Sequence, residues 1–122
     1  MVTSVTNFGR SGLFDWMAQR ISGVVLLFYV VFLTFFLLTN PALTFNEWEA
    51  LFQQNWMRTF SLLALLSMIV HAWVGLWSVT TDYITTRQLG AVATPLRFFL
   101  QGIAALMAFY YLVWGIQILW GI

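Results

Sequence analysis

The only histidine of the chain, His71, lies near the middle of residues 59–81, a mostly apolar stretch without formal charge. A stretch of this length predicts a membrane-spanning helix of roughly 34 Å, which places the imidazole near the bilayer midplane. An ionisable side chain at that depth is unfavourable in free energy, and where it occurs it usually marks a functional site. His71 is therefore the first candidate for chemistry in this sequence.

His71 belongs to a row of small and polar residues on one face of the predicted helix. Intervals of three and four residues bring side chains to the same helix face. The row that follows these intervals consists of Ser67, His71, Gly75, Ser78 and Asp82. Asp82 lies roughly 16 Å from His71 along the helix axis, and Tyr83 comes next. The row thus connects the midplane with one end of the helix.

Three roles for His71 are consistent with this pattern. A neutral imidazole can ligate haem iron through one ring nitrogen, and Gly75, one turn away, leaves room for a flat macrocycle. His71 can instead donate a hydrogen bond to a neighbouring helix, with Gly75 and the serines as close-packing residues. A proton relay is the third role. The spacing alone favours packing over ligation, and the three roles stay open at this point.

Three further candidates lie near the ends of the apolar stretches. Asp82 and Tyr83 stand where acids and tyrosines are common at membrane interfaces, so their position alone is weak support for a binding site. Arg20 precedes the first apolar stretch and is expected at the same level as Asp82. Its usual role there is to set orientation or to reach the lipid headgroups. Guanidinium geometry also suits an anionic group such as a haem propionate.

Composition predicts the elements that hold these residues. The chain has 122 residues, of which 61% are hydrophobic and only 7% are charged, too few charges for a water-exposed surface. We predict an all-α integral membrane protein, one anchor domain over residues 1–122, with spans at about 20–39, 59–82 and 97–120. The net charge of +1 argues against nucleic-acid binding. The absence of cysteine assigns any iron–sulfur cluster to another subunit.

The positions of the arginines predict the topology of the three spans. Short loops make neighbouring spans antiparallel, which gives an up-down-up bundle. Arg58 is the one arginine between the first and second spans. The other arginines precede the first span or separate the second from the third, namely Arg10, Arg20, Arg87 and Arg97. This asymmetry predicts a cytoplasmic N-terminus and second loop, and a C-terminus outside.

Local signals describe the two connecting segments. Thr44 and Glu47 have the spacing of a capping box, which predicts a short helix at the outer interface between the first and second spans. An N-terminal extension of the second span fits the same pattern equally well. The second loop is predicted over residues 82–97, where Gly90 and Pro95 interrupt regular structure.

The second span also carries a motif that resembles a known family. His71 is followed four residues later by Gly75, and seven residues after that by the pair Asp82-Tyr83. This arrangement closely resembles the second-helix signature of the hydrophobic membrane-anchor subunits of succinate dehydrogenase, the smaller of its two cytochrome b-type anchors. The resemblance extends over nearly the whole chain. Its weaker N-terminal part consists of Gly9, Arg10, Gly12, Asp15 and Arg20.

The resemblance implies a role for each candidate residue. His71 would be one axial ligand of a b-type haem, and the larger anchor subunit would supply the second histidine. Gly75 would pack against the haem, and Arg20 would lie near its propionates. Tyr83 would donate its phenolic hydrogen to a carbonyl oxygen of ubiquinone, with Asp82 supporting the pocket.

The resemblance also implies partners, location and reaction. The chain would sit in lipid as a multi-pass protein of a bacterial inner membrane, with its C-terminus in the periplasm. A flavoprotein subunit would hold FAD, and an iron–sulfur subunit would hold the clusters. The complex, but not this chain alone, would pass electrons from succinate oxidation in the tricarboxylic acid cycle to ubiquinone in the respiratory chain. Three alternatives stay open: a fumarate reductase anchor, a transporter subunit with His71 as proton relay, and a structural membrane protein with a buried histidine.

Overall fold

Three long helices and two short ones form the described part of the chain. The computed structural model describes residues 12–121, so Gly9 and Arg10, which belong to the N-terminal part of the resemblance, lie outside it. The helices are α1 (Gly12–Thr39), α2 (Phe45–Gln53), α3 (Asn55–Tyr83), α4 (Thr86–Leu89) and α5 (Ala93–Trp120), with a 3-10 turn at Gly90–Val92. Three of them are long and apolar enough to span a membrane. The predicted fold class is confirmed.

α1 begins about two turns before the predicted span. The residues that precede Arg20 form the first turns of this helix, and Asp15 lies where a negative charge is favourable beside the positive end of the helix dipole. At the other end, Pro41 disfavours a helical conformation of Asn40, and α1 stops before it. The Asn40 amide Nδ2 donates to the Phe36 carbonyl at 2.8 Å, which satisfies one of the free carbonyls at the helix end.

α2 is a separate short helix with a threonine cap. The Thr44 hydroxyl accepts a hydrogen bond from the Glu47 N–H at 3.2 Å and donates one to Glu47 Oε1, also at 3.2 Å. Gln54 has an extended backbone, with φ −67° and ψ 134°, and this conformation separates α2 from α3. The prediction of a short capped helix is confirmed, and a continuous extension of the second span is wrong. The interfacial location of α2 stays a prediction.

α1 and α3 pack side by side as antiparallel helices. The hydroxyls of Tyr29 and Ser61 are 2.6 Å apart. Phe32 packs edge-on against Phe60, with ring centroids 5.9 Å apart, a favourable geometry for two aromatic rings. These contacts set the register of the two helices and thereby determine which residues of α1 face His71.

The second loop is shorter than predicted. The loop was predicted over residues 82–97, but α3 ends at Tyr83 and α5 begins at Ala93. The intervening residues form α4 and the 3-10 turn, with short connections. Pro95 was expected in the loop but lies in the first turn of α5, where its missing N–H needs no acceptor within the helix. Gly90 does lie in the loop, with φ +68°, a conformation that residues with a side chain rarely adopt.

Most large apolar side chains of the described helices point outward. α1 has a single buried residue, Ser22, and α5 buries only Ala93 and Gln101. An apolar surface of this extent suits lipid or further helices and does not suit water. The orientation of the three helices across the membrane stays a prediction.

Candidate functional site

The imidazole of His71 lies against α1. Its Nδ1 is 3.2 Å from the Ser22 hydroxyl oxygen, and its Nε2 is 3.4 Å from the amide nitrogen of Gln19. Gly23 brings the α1 backbone close, because a methyl group added there would lie 3.5 Å from His71 Cε1. Each ring nitrogen therefore has a polar neighbour on α1.

The row of small and polar residues on α3 follows the same helix interface. Ser67 is buried, and Ser78 lines a groove against α1. A methyl group added at Gly75 would lie 3.9 Å from the amide nitrogen of Gln19, the side chain that also approaches His71 Nε2. His71 and Gly75 thus face one and the same side chain of α1, as their four-residue spacing predicts.

Arg20 lies in the groove between α1 and α3, which has a volume of about 330 Å³. The groove is lined by Gly12, Asp15, Trp16, Gln19, Arg20, Val74 and Ser78. The Arg20 guanidinium lies over the Trp16 ring, with Cζ 5.3 Å from the ring centroid, a cation–π contact. The expectation that Arg20 is level with Asp82 is wrong, because the register of α1 against α3 places Arg20 in the same groove as Val74 and Ser78, nearer to His71.

Asp82 and Tyr83 occupy the end of α3, and Tyr83 lies about 18 Å from His71 along the axis. Tyr83 is 68% exposed, and Asp82 is also exposed. Just before them, the buried Thr80 hydroxyl accepts a hydrogen bond from Gln101 Nε2 of α5 at 2.9 Å. The end of α3 is thus attached to α5, while Asp82 and Tyr83 point outward from the described part of the chain.

His71 can offer a metal one ligand. Among residues 12–121 no group of three or more His, Cys, Asp or Glu side chains could hold a metal ion. A metal bound here would therefore need further ligands from a macrocycle and from another chain. Haem iron meets this condition, because the porphyrin supplies four nitrogens and the protein supplies only the axial ligands.

The surroundings of His71 fit an axial haem ligand. Because Nδ1 already faces the Ser22 hydroxyl, Nε2 is the nitrogen left for iron. The Gln19 contact to Nε2 is longer than the usual N–H hydrogen bond of about 2.7–3.2 Å. Gln19 Oε1 is buried without a hydrogen-bond partner among the described residues, so this side chain is weakly held and can turn away. Gly75 places no side chain in the space beside His71 on α3.

Gln19 and Ser22 are site residues that the sequence interpretation missed. They are three residues apart and therefore share a face of α1, with Gly23 beside them. This polar and small group at the start of an apolar run was the available signal. Its connection with His71 depends on the register between α1 and α3.

The residues that match a known protein family include most of this site. The family described as succinate dehydrogenase/fumarate reductase transmembrane subunit matches residues 4–91, which include α1, His71 and the pair Asp82-Tyr83. This chain belongs to that family. The resemblance carried by the second-span motif is confirmed at this level. With its three long apolar helices, the chain is a multi-pass membrane-anchor subunit of the succinate dehydrogenase/fumarate reductase family.

Three curated relatives of this transmembrane subunit carry the name succinate dehydrogenase hydrophobic membrane anchor subunit. The protein of Coxiella burnetii is 34% identical over 116 residues, which are 95% of each chain. The protein of Rickettsia conorii is 32% identical over 84 residues, 66% of this chain and 64% of the relative. The protein of Rickettsia bellii is 29% identical over 111 residues, 87% of each chain. The similarity to the Coxiella protein therefore extends beyond the family match.

Proposed function

We propose that this chain anchors a succinate dehydrogenase, shares a b-type haem with a larger anchor subunit and forms part of a ubiquinone-reduction site. The observation that carries the proposal is the position of His71 in the middle of α3, with Ser22 at Nδ1 and the weakly held Gln19 at Nε2. The names of the relatives in Coxiella and Rickettsia support the assignment to succinate dehydrogenase.

In this proposal the chain contributes half of a haem site. The Nε2 lone pair of His71 ligates the iron, and Gly75 gives the macrocycle room beside α3. Arg20, in the groove between α1 and α3, pairs with a propionate through its planar guanidinium. Because the chain has one histidine, the second axial histidine comes from the larger anchor subunit. When bound, the haem supplies one-electron oxidation and reduction.

The quinone site is proposed at the C-terminal end of α3, where Asp82 and Tyr83 lie. Tyr83 donates its phenolic hydrogen to a quinone carbonyl oxygen, and Asp82 supports the pocket by hydrogen bonding or charge. Their outward position supports a pocket that the larger anchor and the iron–sulfur subunit complete. The arginine distribution supports a cytoplasmic location for this end in a bacterial inner membrane. Electrons from succinate then arrive through FAD and iron–sulfur clusters in the soluble subunits.

Other functions have less support. The family description also names fumarate reductase, which runs the reverse reaction, and the direction depends on the quinone potential. A proton relay would need a second ionisable group, yet His71 is the only one between Arg58 and Asp82. A histidine with a purely structural role would make the same two contacts with α1. The experiment must therefore distinguish that role from haem ligation.

A reduced-minus-oxidised spectrum of the purified complex tests the haem ligand. We expect a b-type signal, and we expect His71→Ala to abolish the six-coordinate form, through loss of either the haem or one axial ligand. Ser61→Ala is a matched control, because it removes another buried polar contact between α1 and α3 but leaves the ligand in place. A wild-type complex without the signal, or an unchanged His71→Ala spectrum, would contradict the proposal.

A further inference from the structure

We infer that Ser22 is the positioning residue of His71: its hydroxyl oxygen accepts a hydrogen bond from Nδ1–H and so keeps Nε2 unprotonated for ligation. The inference rests on the proposed haem function and deepens it. It assigns control of the protonation of the α3 ligand to a residue of α1 that is not among the residues that carried the family resemblance.

The hydrogen bonds of Ser22 determine which partner donates. A serine hydroxyl has one proton and two acceptor lone pairs. Ser22 Oγ lies 3.1 Å from the carbonyl oxygen of Gln19, an atom that can only accept, so the hydroxyl proton is used within α1. At 3.2 Å from His71 Nδ1, the same oxygen has only lone pairs to offer. Nδ1 must therefore be the donor.

The other ring nitrogen agrees with this assignment. A neutral imidazole carries a single N–H, so a proton on Nδ1 leaves a lone pair on Nε2. The group nearest to His71 Nε2 is the Gln19 amide nitrogen, a donor, at 3.4 Å. The contacts of the two ring nitrogens thus point to the same tautomer, and Gln19 occupies the direction from which iron would approach.

Burial makes the Ser22 contact persistent. Ser22 is 4% exposed, so water cannot readily replace either partner of the hydrogen bond. Residue 23 of α1 faces the ring edge, where a methyl group would make an ordinary van der Waals contact, 3.5 Å from His71 Cε1. A flipped imidazole would present a carbon atom to the Ser22 oxygen and lose the bond. Ring orientation and tautomer are therefore fixed together.

This contact has a consequence for ligation. A hydrogen bond donated by the distal ring nitrogen raises the basicity of the coordinating nitrogen and orients the ring towards the metal. A more basic Nε2 favours ferric over ferrous iron. Ser22 therefore increases haem retention and lowers the midpoint potential of the haem.

Two substitutions in the whole complex test the role of Ser22. Ser22→Ala removes the acceptor, whereas Ser22→Thr keeps a hydroxyl that can also bond the carbonyl one turn earlier. For Ser22→Ala we expect haem affinity to fall by about 10-fold or more, with a higher midpoint potential. A tenfold larger loss of ferric than of ferrous affinity corresponds to a rise of about 59 mV for one electron. Ser22→Thr should restore both quantities.

Ser61→Ala is again the control, since it removes a buried hydroxyl contact to Tyr29 in the same pair of helices. It should leave the midpoint potential unchanged. If Ser22→Ala binds haem with the wild-type affinity and potential, the inference is overturned while the haem proposal stands. Equal shifts in Ser22→Ala and Ser61→Ala would assign the effect to general packing and also overturn it. A wild-type complex without haem would overturn both proposals.

Discussion

The Gln101 side chain of α5 donates a hydrogen bond of 2.9 Å to the hydroxyl of Thr80 on α3. Thr80 is 0% exposed and Gln101 7%, so the bond is shielded from solvent. The Thr80 hydroxyl also donates to the Trp77 carbonyl at 3.0 Å, which uses its own proton. This pair attaches α5 to α3 less than one turn before Asp82 and Tyr83, and it therefore holds the proposed quinone end of α3 in place.

Thr80→Val should destabilise the complex by about 1–3 kcal/mol, because the buried Gln101 amide loses its acceptor at nearly constant side-chain volume. The thermal unfolding midpoint of the purified complex measures this change. Adding Gln101→Leu removes the unpaired amide and should recover part of the loss. If the two substitutions are additive, the side chains are not coupled, and the hydrogen bond does not contribute as described.

Tyr83→Phe should slow ubiquinone reduction at least several-fold and leave succinate oxidation by an artificial acceptor unchanged, because only the phenolic hydrogen bond is lost. Both activities are measured on the same purified complex. Tyr110→Phe is the matched control, since Tyr110 is similarly exposed but lies on α5. Equal loss of both activities in Tyr83→Phe would indicate failed assembly and count against the quinone role.

The size of residue 75 should control haem content. A methyl group at Gly75 would make only an ordinary contact, 3.9 Å from the Gln19 amide, so Gly75→Ala should retain most of the haem. Gly75→Leu fills the space beside His71 and should lose most of it, as measured by the haem absorbance per complex. Gly102→Leu provides the control, because a Cβ there meets nothing within 4 Å. Full haem content in Gly75→Leu would exclude this packing role.

Reporter fusions test the predicted orientation. The arginine distribution predicts that the segment between α3 and α5 is cytoplasmic and that the C-terminus lies outside. A periplasmic reporter fused after residue 122 should therefore be active, and the same reporter inserted after Gly90 should be inactive. The reversed pattern would invert the topology and move Asp82 and Tyr83 away from the cytoplasmic face.

Apolar length predicted the three long helices but not their ends. Hydropathy reports which residues are stable in lipid, whereas helix ends depend on local backbone and capping groups. Asp15, Gln19 and Arg20 interrupt the apolar run without interrupting α1, so the predicted span began too late. Pro95 looked like a helix breaker, yet the first turn of α5 tolerates it.

The α3 residues of the site could be predicted from the sequence, whereas the α1 residues that contact them could not. His71 and Gly75 share a face through the helical period alone, and sequence spacing is enough to recognise this. The contact between Ser22 and His71 needs the register of two helices, which contacts such as that between Tyr29 and Ser61 set far from the site. For the same reason, Arg20 was expected at the wrong level.

Ser22, the one buried side chain of α1, gives this helix an uneven tolerance to mutation. At the exposed apolar positions of α1, one apolar residue can replace another with little effect on the packing within this chain. At position 22, by contrast, both the volume and the hydroxyl are constrained. A saturation library of α1 scored for stability and haem binding should therefore show a sharp minimum at Ser22 and further minima at Arg20 and at the register contacts Tyr29 and Phe32. The exposed apolar positions of α1 should exchange freely among apolar types.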